Sequence, residues 1–387
     1  MESILVIYAA LALVYLCYTI IEFIVGFNHI QNLSGQPIIK SDELPKISLI
    51  LSALNEEEAI EAALTSLINL SYPNLEIIAI NDRSTDKTPE ILDRMQQQHS
   101  MLKIIHIDTL PANWLGKNHA LHYASQQATG DWLLFTDADV LMKSETLLKS
   151  ISYVLDNKLD HLTIFEHHKR ESFWLKVALL GCYIAYTMAM KPWRIRYAWS
   201  KRSLGHGAFN LVKKSSYQTC CGHQAIAMEC LDDLKLGELI KKNGFRQDTV
   251  DGRDFIEREW YGTMRNMIEG MKKNCFAYYN YKFFPVMRDS LSAIIFFIWP
   301  IFAVIFFSGP LFYLNLMNIF LTLFVTSYVA KQFRLNKAFA LFYPVSIAVL
   351  VYTMCNSVVA TYRNKGVIWR GTHYPLKMLR NSSSQIP

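Results

Sequence analysis

Apolar and polar positions divide this chain into three regimes. Residues 4–27 (ILVIYAALALVYLCYTIIEFIVGF) are apolar apart from Glu22. A run of about 24 residues is long enough for a helix to cross a hydrocarbon core of roughly 30 Å. Residues 290–329 contain no acid or base, about 40 residues, enough for two spans joined near Ser308-Gly309-Pro310, and 338–361 is a third candidate. Between them the pattern alternates. Ile47–Leu51 and Leu75–Ile80 are continuous apolar runs closed by polar residues, and 56–70 and 86–98 have helical spacing. The second helix begins near Asp86, Thr88 and Pro89. Leu102–Ile107, a helix near 117–128 and Trp132–Phe135 continue the series.

Strands without polar alternation are buried on both faces, which predicts an α/β domain with a mainly parallel sheet and helices on both sides. The expected organisation is an N-terminal transmembrane anchor (1–28), an α/β domain (45–285), C-terminal transmembrane segments (288–361) and a basic tail (362–387). Residues 173–190 are nearly long enough to span. A single crossing there would put Asp137 and Asp233 on opposite sides of the membrane, so the segment near 172–191 is expected to be interfacial or buried.

The net charge of +6 on 387 residues changes the picture through its placement. No acid follows Asp289, whereas Lys331, Arg334, Lys337, Arg363, Lys365, Arg370, Lys377 and Arg380 do. Basic residues beside apolar segments point to an anionic leaflet rather than to nucleic acid. The 4–27 run lacks the basic start and cleavage site of a signal peptide, so it is read as retained. The seven cysteines contain no CxxC pair, and reduced thiols are expected.

In doubly covered sheets ligands bind beyond the carboxyl ends of the strands. Asn55, Asp82 and Asp137 all fall there. Asp137-Ala138-Asp139 places two carboxylates at a strand end, where a hard cation takes oxygen ligands; the alternative is a cap or turn. Asp82 either accepts from a nucleobase imide or ribose hydroxyl, or ends a turn. Gly116-Lys117 at a helix start suits a diphosphate, with a solvated lysine as the alternative. Asp232-Asp233 opens an amphipathic helix. The pair either complements the helix dipole or supplies a general base, whose pKa a neighbouring acid would raise.

Taken in order, Ser52-Ala53-Leu54-Asn55-Glu56-Glu57, Asn81-Asp82-Arg83-Ser84-Thr85-Asp86, Asp137-Ala138-Asp139 and Asp232-Asp233 resemble the inverting family 2 glycosyltransferases of GT-A fold. Trp114-Leu115-Gly116-Lys117, Gly222-His223 and Trp369-Arg370-Gly371-Thr372-His373-Tyr374 are similar to a membrane-bound subgroup associated with carotenoid and hopanoid glycosylation and, more distantly, with ceramide glucosylation. The Gln-x-x-Arg-Trp motif of processive members is absent, and Arg258-Glu259-Trp260 stands in its place.

The resemblance implies a nucleotide-diphosphate sugar donor, a uridine one for preference, and a divalent metal, Mg2+ or Mn2+. Ala53, Asn55, Glu57, Asp82, Gly116, Lys117 and Asp137 would bind the donor, and Asp139 with Asp137 the metal. Asp233, flanked by Asp232, would be the base, and Arg258, Trp260 and His223 would line the sugar or acceptor side. The implied reaction is transfer of one sugar to a membrane lipid by a multi-pass protein with its catalytic domain at the cytoplasmic face. A phosphate-acceptor synthase, a processive synthase and a non-catalytic scaffold are the alternatives.

Overall fold

A computed structural model describes residues 2–39, 44–169 and 172–383; the last residues of the expected basic tail, 384–387, lie outside it. The chain divides into two compact units, one made of 1–29, 170–191 and 261–369, the other of 30–169, 192–260 and 370–387. The expected α/β stretch 45–285 is thus shared between them.

The second unit is an α/β domain. Besides the strand Thr372–Pro375, its strands are β1 (Gln31–Asn32), β2 (Ile47–Ala53), β3 (Leu75–Asp82), β4 (Leu102–Ile107), β5 (Trp132–Asp137), β6 (Val140–Met142), β7 (His161–Phe165), β8 (His167–His168), β9 (Asn210–Lys213), β10 (Gln247–Asp251) and β11 (Ile256–Arg258). Eight form one sheet in the order β1-β10-β7-β9-β5-β2-β3-β4. Its pairings are parallel except where β9 enters antiparallel between β5 and β7.

Both faces of this sheet are covered, as continuous apolar strands require. Leu49, Leu51, Ile77 and Leu134 pack toward the helices Ile60–Ile68 and Thr146–Asp156 through Leu64, Leu67, Ile151 and Val154. The alternate positions Ile50, Ile78, Ile80 and Phe135 face the helices Gly116–Gln127 and Asp232–Lys242 through Ala120, Leu121, Leu236 and Ile240. Each such Leu, Ile, Val or Phe side chain contributes about 1.5–3 kcal/mol on burial.

The register brings the three predicted polar ends together, since Ala53 pairs with Asn81 and Ser52 with Asp137. A second sheet, β6-β11-β8, sits just past the end of β5. It sets Arg258 opposite Val140 on one side and His168 on the other, which fixes an arginine beside Asp137 and Asp139.

The other unit is helical: Glu2–Asn28, Phe173–Met190, Met264–Tyr278, Phe283–Ala293 continuing to Trp299–Phe306, Gly309–Gln332 and Tyr343–Arg363. Among the described residues five helical stretches are long and apolar enough to cross a membrane: Glu2–Asn28, Phe173–Arg194, Phe283–Phe306, Gly309–Gln332 and Lys337–Arg363. Ser308-Gly309-Pro310 marks a break, with Gly309 at φ 63 and Pro310 in the first turn of the next helix. Pro344 likewise opens its helix, which then runs unbroken to Arg363.

Polar groups link these helices. Lys191 pairs with Glu22 at 2.7 Å, and Asn318 donates to the Ala9 carbonyl at 3.1 Å. At Gly181 an added Cβ would lie 2.4 Å from the Ser346 carbonyl oxygen, so the helix Phe173–Met190 is packed backbone-close on Tyr343–Arg363. The strands before and after Phe173–Met190, β7 and β9, pair with each other. Both ends of this helix therefore return to one sheet, and it cannot be a single membrane crossing. Much of it is buried, while Phe173 and Trp174 at its start are exposed.

Candidate functional site

The site is built where β2, β3 and β5 run out. At its centre Lys117, one residue into the helix Gly116–Gln127, donates to Asp137 Oδ1 at 2.8 Å and lies 3.0 Å from Asp232 Oδ2. Arg258 spans the other side, with Nη1 2.9 Å from Asp137 Oδ2 and Nη2 3.0 Å from Asp139 Oδ2. Burial alone would raise the Asp137 carboxyl, but the Lys117 and Arg258 charges hold it well below the usual carboxylate range. Burial raises Asp139, with Arg258 pulling the other way. Asp139 Oδ1 is buried without a hydrogen-bond partner. An orphaned carboxylate oxygen at a strand end is the type of donor a hard cation takes, and this one atom fits a divalent metal, while Lys117 and Arg258 hold the other three oxygens of the pair. Among the described residues no group of three or more His, Cys, Asp or Glu side chains encloses one.

Asp233, at the start of the helix Asp232–Lys242, accepts from the Gly207 amide at 2.9 Å and from the Leu234 amide at 2.8 Å. Burial, then the adjacent Asp232, push its pKa up, while Lys117 and the Leu234 amide pull it down; the net shift is upward. Gly207 is wedged between this acid and the strand ends, because a Cβ there would lie 2.5 Å from Asp137 Oδ2. At Gly205 a Cβ would lie 1.9 Å from the Asp233 carbonyl oxygen. The Gly205-His206-Gly207 turn thus lets Asp137 and Asp233 approach one segment of backbone from two sides.

His206 belongs to a half-buried cluster absent from the sequence reading. Its Nδ1 is 3.1 Å from Glu166 Oε2, and His168 Nε2 is 3.1 Å from Glu166 Oε1. Burial opposes charge on His206, but Glu166 and then Asp233 raise its pKa overall. Trp260 packs against His168 with ring centroids 4.9 Å apart. The detectable signal was the glycine pair flanking His206 just ahead of an apolar strand; Glu166 left no such mark.

At the other corner Asp82 is buried and held by the Arg83 fork, Nε to Oδ1 at 2.8 Å and Nη2 to Oδ2 at 3.1 Å. Gly116 makes room for that pair, since a Cβ there would lie 2.4 Å from Asp82 Oδ2. The loops after β2 and β3 interlock. Asn55, at φ 56, accepts from the Thr85 amide at 2.8 Å and donates from its own amide to Ser84 at 3.0 Å. Glu57 accepts from the Lys87 amide at 3.0 Å, and the Glu57 amide donates to Asp86 at 3.1 Å. Ala53 is buried at the end of β2.

The predicted residues Asp137, Asp139, Lys117, Asp232, Asp233 and Arg258 therefore form one charged cluster. Asn55, Glu57, Asp82 and Gly116 form the adjoining corner. Arg258 faces the two strand-end aspartates rather than open space, because the antiparallel pairing of β11 with β6 aims it there. His223 lies elsewhere. It is buried against Phe135, with Nδ1 2.9 Å from the Tyr217 hydroxyl, and burial pushes its pKa down to about 3. A neutral core histidine of this kind holds a turn together.

Residues 48–219 match the family described as Glycosyl transferase family 2. That match takes in 172 of the 387 residues. It is 25% identical over 238 residues to a 4,4'-diaponeurosporenoate glycosyltransferase of Staphylococcus haemolyticus, covering 59% of this chain and 60% of that one. It is 31% identical over 137 residues to a beta-monoglucosyldiacylglycerol synthase of Nostoc, covering 34% and 29%. The chain thus spans less than two thirds of either relative. Among solved structures, a mannosyltransferase of Pyrobaculum calidifontis in complex with GDP-Man and Mn2+ superposes with a TM-score of 0.50 at 16% identity, over 100% of this chain and 96% of that one. That similarity is one of fold, the GT-A-like α/β arrangement described above.

Proposed function

We propose that this glycosyltransferase moves a single sugar, with inversion, from a nucleotide-diphosphate sugar to the hydroxyl of a membrane lipid at the cytoplasmic face. The observation that carries the reading is the charged cluster at the strand ends, Lys117–Asp137–Arg258–Asp139, with Asp233 brought to it through Gly207. A uridine diphosphate sugar is the preferred donor. The names of the two relatives, one glycosylating diaponeurosporenoate and the other making monoglucosyldiacylglycerol, support an apolar acceptor. Among the described residues, the stretches Glu2–Asn28, Phe283–Phe306, Gly309–Gln332 and Lys337–Arg363, each long and apolar enough to span, support a multi-pass membrane protein with anchors at 1–28 and within 288–361.

The acceptor oxygen forms a bond to the anomeric carbon as the bond from that carbon to the diphosphate oxygen breaks. The hydroxyl proton passes to Asp233, and the nucleoside diphosphate leaves with the bonding pair. Asp137 and Asp139 would hold a divalent cation, Mg2+ or Mn2+, which supplies charge neutralisation for a departing diphosphate. Lys117 adds a fixed positive charge at a helix start, where backbone amides also point. Asn55, Glu57 and Asp82 belong to the corner that receives the nucleoside. For Asp82 to meet a base, the Arg83 fork must let go of it. Trp260 and His168 would line the sugar or acceptor side.

The test is donor binding and product chemistry together. Purified protein should bind uridine diphosphate with a divalent cation, and Asp137→Asn should abolish that binding. The product should be a glycoside that survives mild acid; an acid-labile sugar phosphodiester would reassign the reaction to a phosphate acceptor.

A further inference from the structure

The final segment of the α/β unit returns to the strand ends. Arg370 and Gly371 both have left-handed backbone, at φ 47 and 77, which turns the chain sharply. The Arg370 guanidinium donates to the Leu54 carbonyl at 2.9 Å and to Glu56 Oε1 at 2.5 Å, both in the loop that leaves β2. Four residues on, the buried Tyr374 accepts through its hydroxyl from the Gly116 amide at 3.4 Å. Tyr374 also acts on the charge of Arg83. One short segment therefore touches the loop after β2, the Asp82–Arg83 pair after β3 and the start of the helix Gly116–Gln127.

Those three pieces are the nucleoside corner of the donor site, and a segment that only finished the fold would have no need of all three. Glu56 adds a second reason. Burial raises its pKa, Arg370 opposes that, and Asp139 and Asp137 are near enough to raise it further. Arg370 pairs with this acid at 2.5 Å.

We propose that residues 370–376 are a strap completing the nucleoside end of the donor site. Arg370 fastens it, and Tyr374 sets the Asp82–Arg83 pair against the helix start. Both are positioning residues for the nucleoside diphosphate and touch neither the sugar nor the acceptor. This rests on the donor-site reading above. Loss of the strap then weakens nucleotide binding and leaves the chemical step unchanged.

The experiment uses the full chain in detergent, titrated calorimetrically with uridine diphosphate and Mg2+, with donor KM and kcat measured in parallel. Arg370→Gln and Tyr374→Phe should each weaken the Kd about three- to tenfold, as expected for a partly exposed ion pair or one hydrogen bond. Donor KM should rise in step while kcat stays within about twofold, and Arg370→Lys should regain part of the loss. Tyr374→Phe removes a single oxygen, so it carries the test should Arg370→Gln fail to fold. Unchanged affinity in both variants overturns the strap, as does tighter binding, which would make it an obstruction. A fall in kcat at constant KM also overturns it. If wild type binds but Asp137→Asn does not, while the strap variants bind as wild type, only the strap fails. If folded wild-type protein binds no nucleoside diphosphate, the donor reading falls with it.

Discussion

Asp233, the proposed base, joins a stability cost to its proposed role. Its folded-state pKa is raised, so the native protein binds that proton more tightly than the unfolded chain does. Ionised Asp233 therefore costs stability at pH values above its folded pKa, and the cost is lost progressively as pH falls from that pKa to the lower unfolded one. Asp233→Asn should melt no lower than wild type near neutral pH by thermal denaturation in detergent, yet lose transfer about 10²–10⁴-fold. The acid limb of the rate profile should lie above the usual carboxylate range, since protonation there removes the base. Lys117 is the opposite case, the shared partner of Asp137 and Asp232. Lys117→Met leaves Asp232 without that partner and should cost about 3–5 kcal/mol in thermal or denaturant unfolding. The acids at 82, 137, 139 and 233 were legible because each follows a strand or opens a helix. What occupies them was not: no spacing rule tells that Arg83 turns back on Asp82, or that Arg258 crosses 119 residues to Asp139. His223 was named through the resemblance of Gly222-His223, and the Tyr217 hydroxyl and Phe135 account for its place in the core.

Among elements, the parallel strands declared themselves through uninterrupted apolar runs, and the register that aligns Ser52 with Asp137 follows from packing both faces. Two elements could not be read this way. β9 enters antiparallel because the chain comes back from the helix Phe173–Met190, a long-range event without local pattern. The Gly205-His206-Gly207 turn matters through clearance, which sequence does not express. Gly205→Ala drives a Cβ into the Asp233 carbonyl, where backbone must move rather than a side chain. It should destabilise the fold by about 1–3 kcal/mol and lower kcat more than donor affinity, because the base shifts while the nucleoside corner does not. Gly116→Ala, which displaces the Asp82–Arg83 pair, should instead raise the donor Kd. Calorimetry with uridine diphosphate on both variants checks the contrast, and equal effects on binding would contradict it.

For the molecule as a whole, hydropathy alone counts the segment from Phe173 as a fifth span, and only the sheet contradicts a crossing. β7 before it pairs with β9 after it, which no protein bisected by a bilayer allows. Single cysteines introduced at Lys169 and Arg202 in a background without the native seven should label from the same side of sealed vesicles. Labelling from opposite sides would refute the topology. The concentration of basic residues after Asp289 was visible from composition.

The measurement closest to the central claim is product formation by membranes containing the wild-type protein, incubated with labelled sugar nucleotides and analysed by lipid mass spectrometry. The account predicts a lipid bearing one sugar in an inverted glycosidic linkage, formed only with a divalent cation and lost in Asp233→Asn although that variant still binds nucleotide. A polymer, a sugar phosphodiester, or undiminished transfer by Asp233→Asn would contradict it.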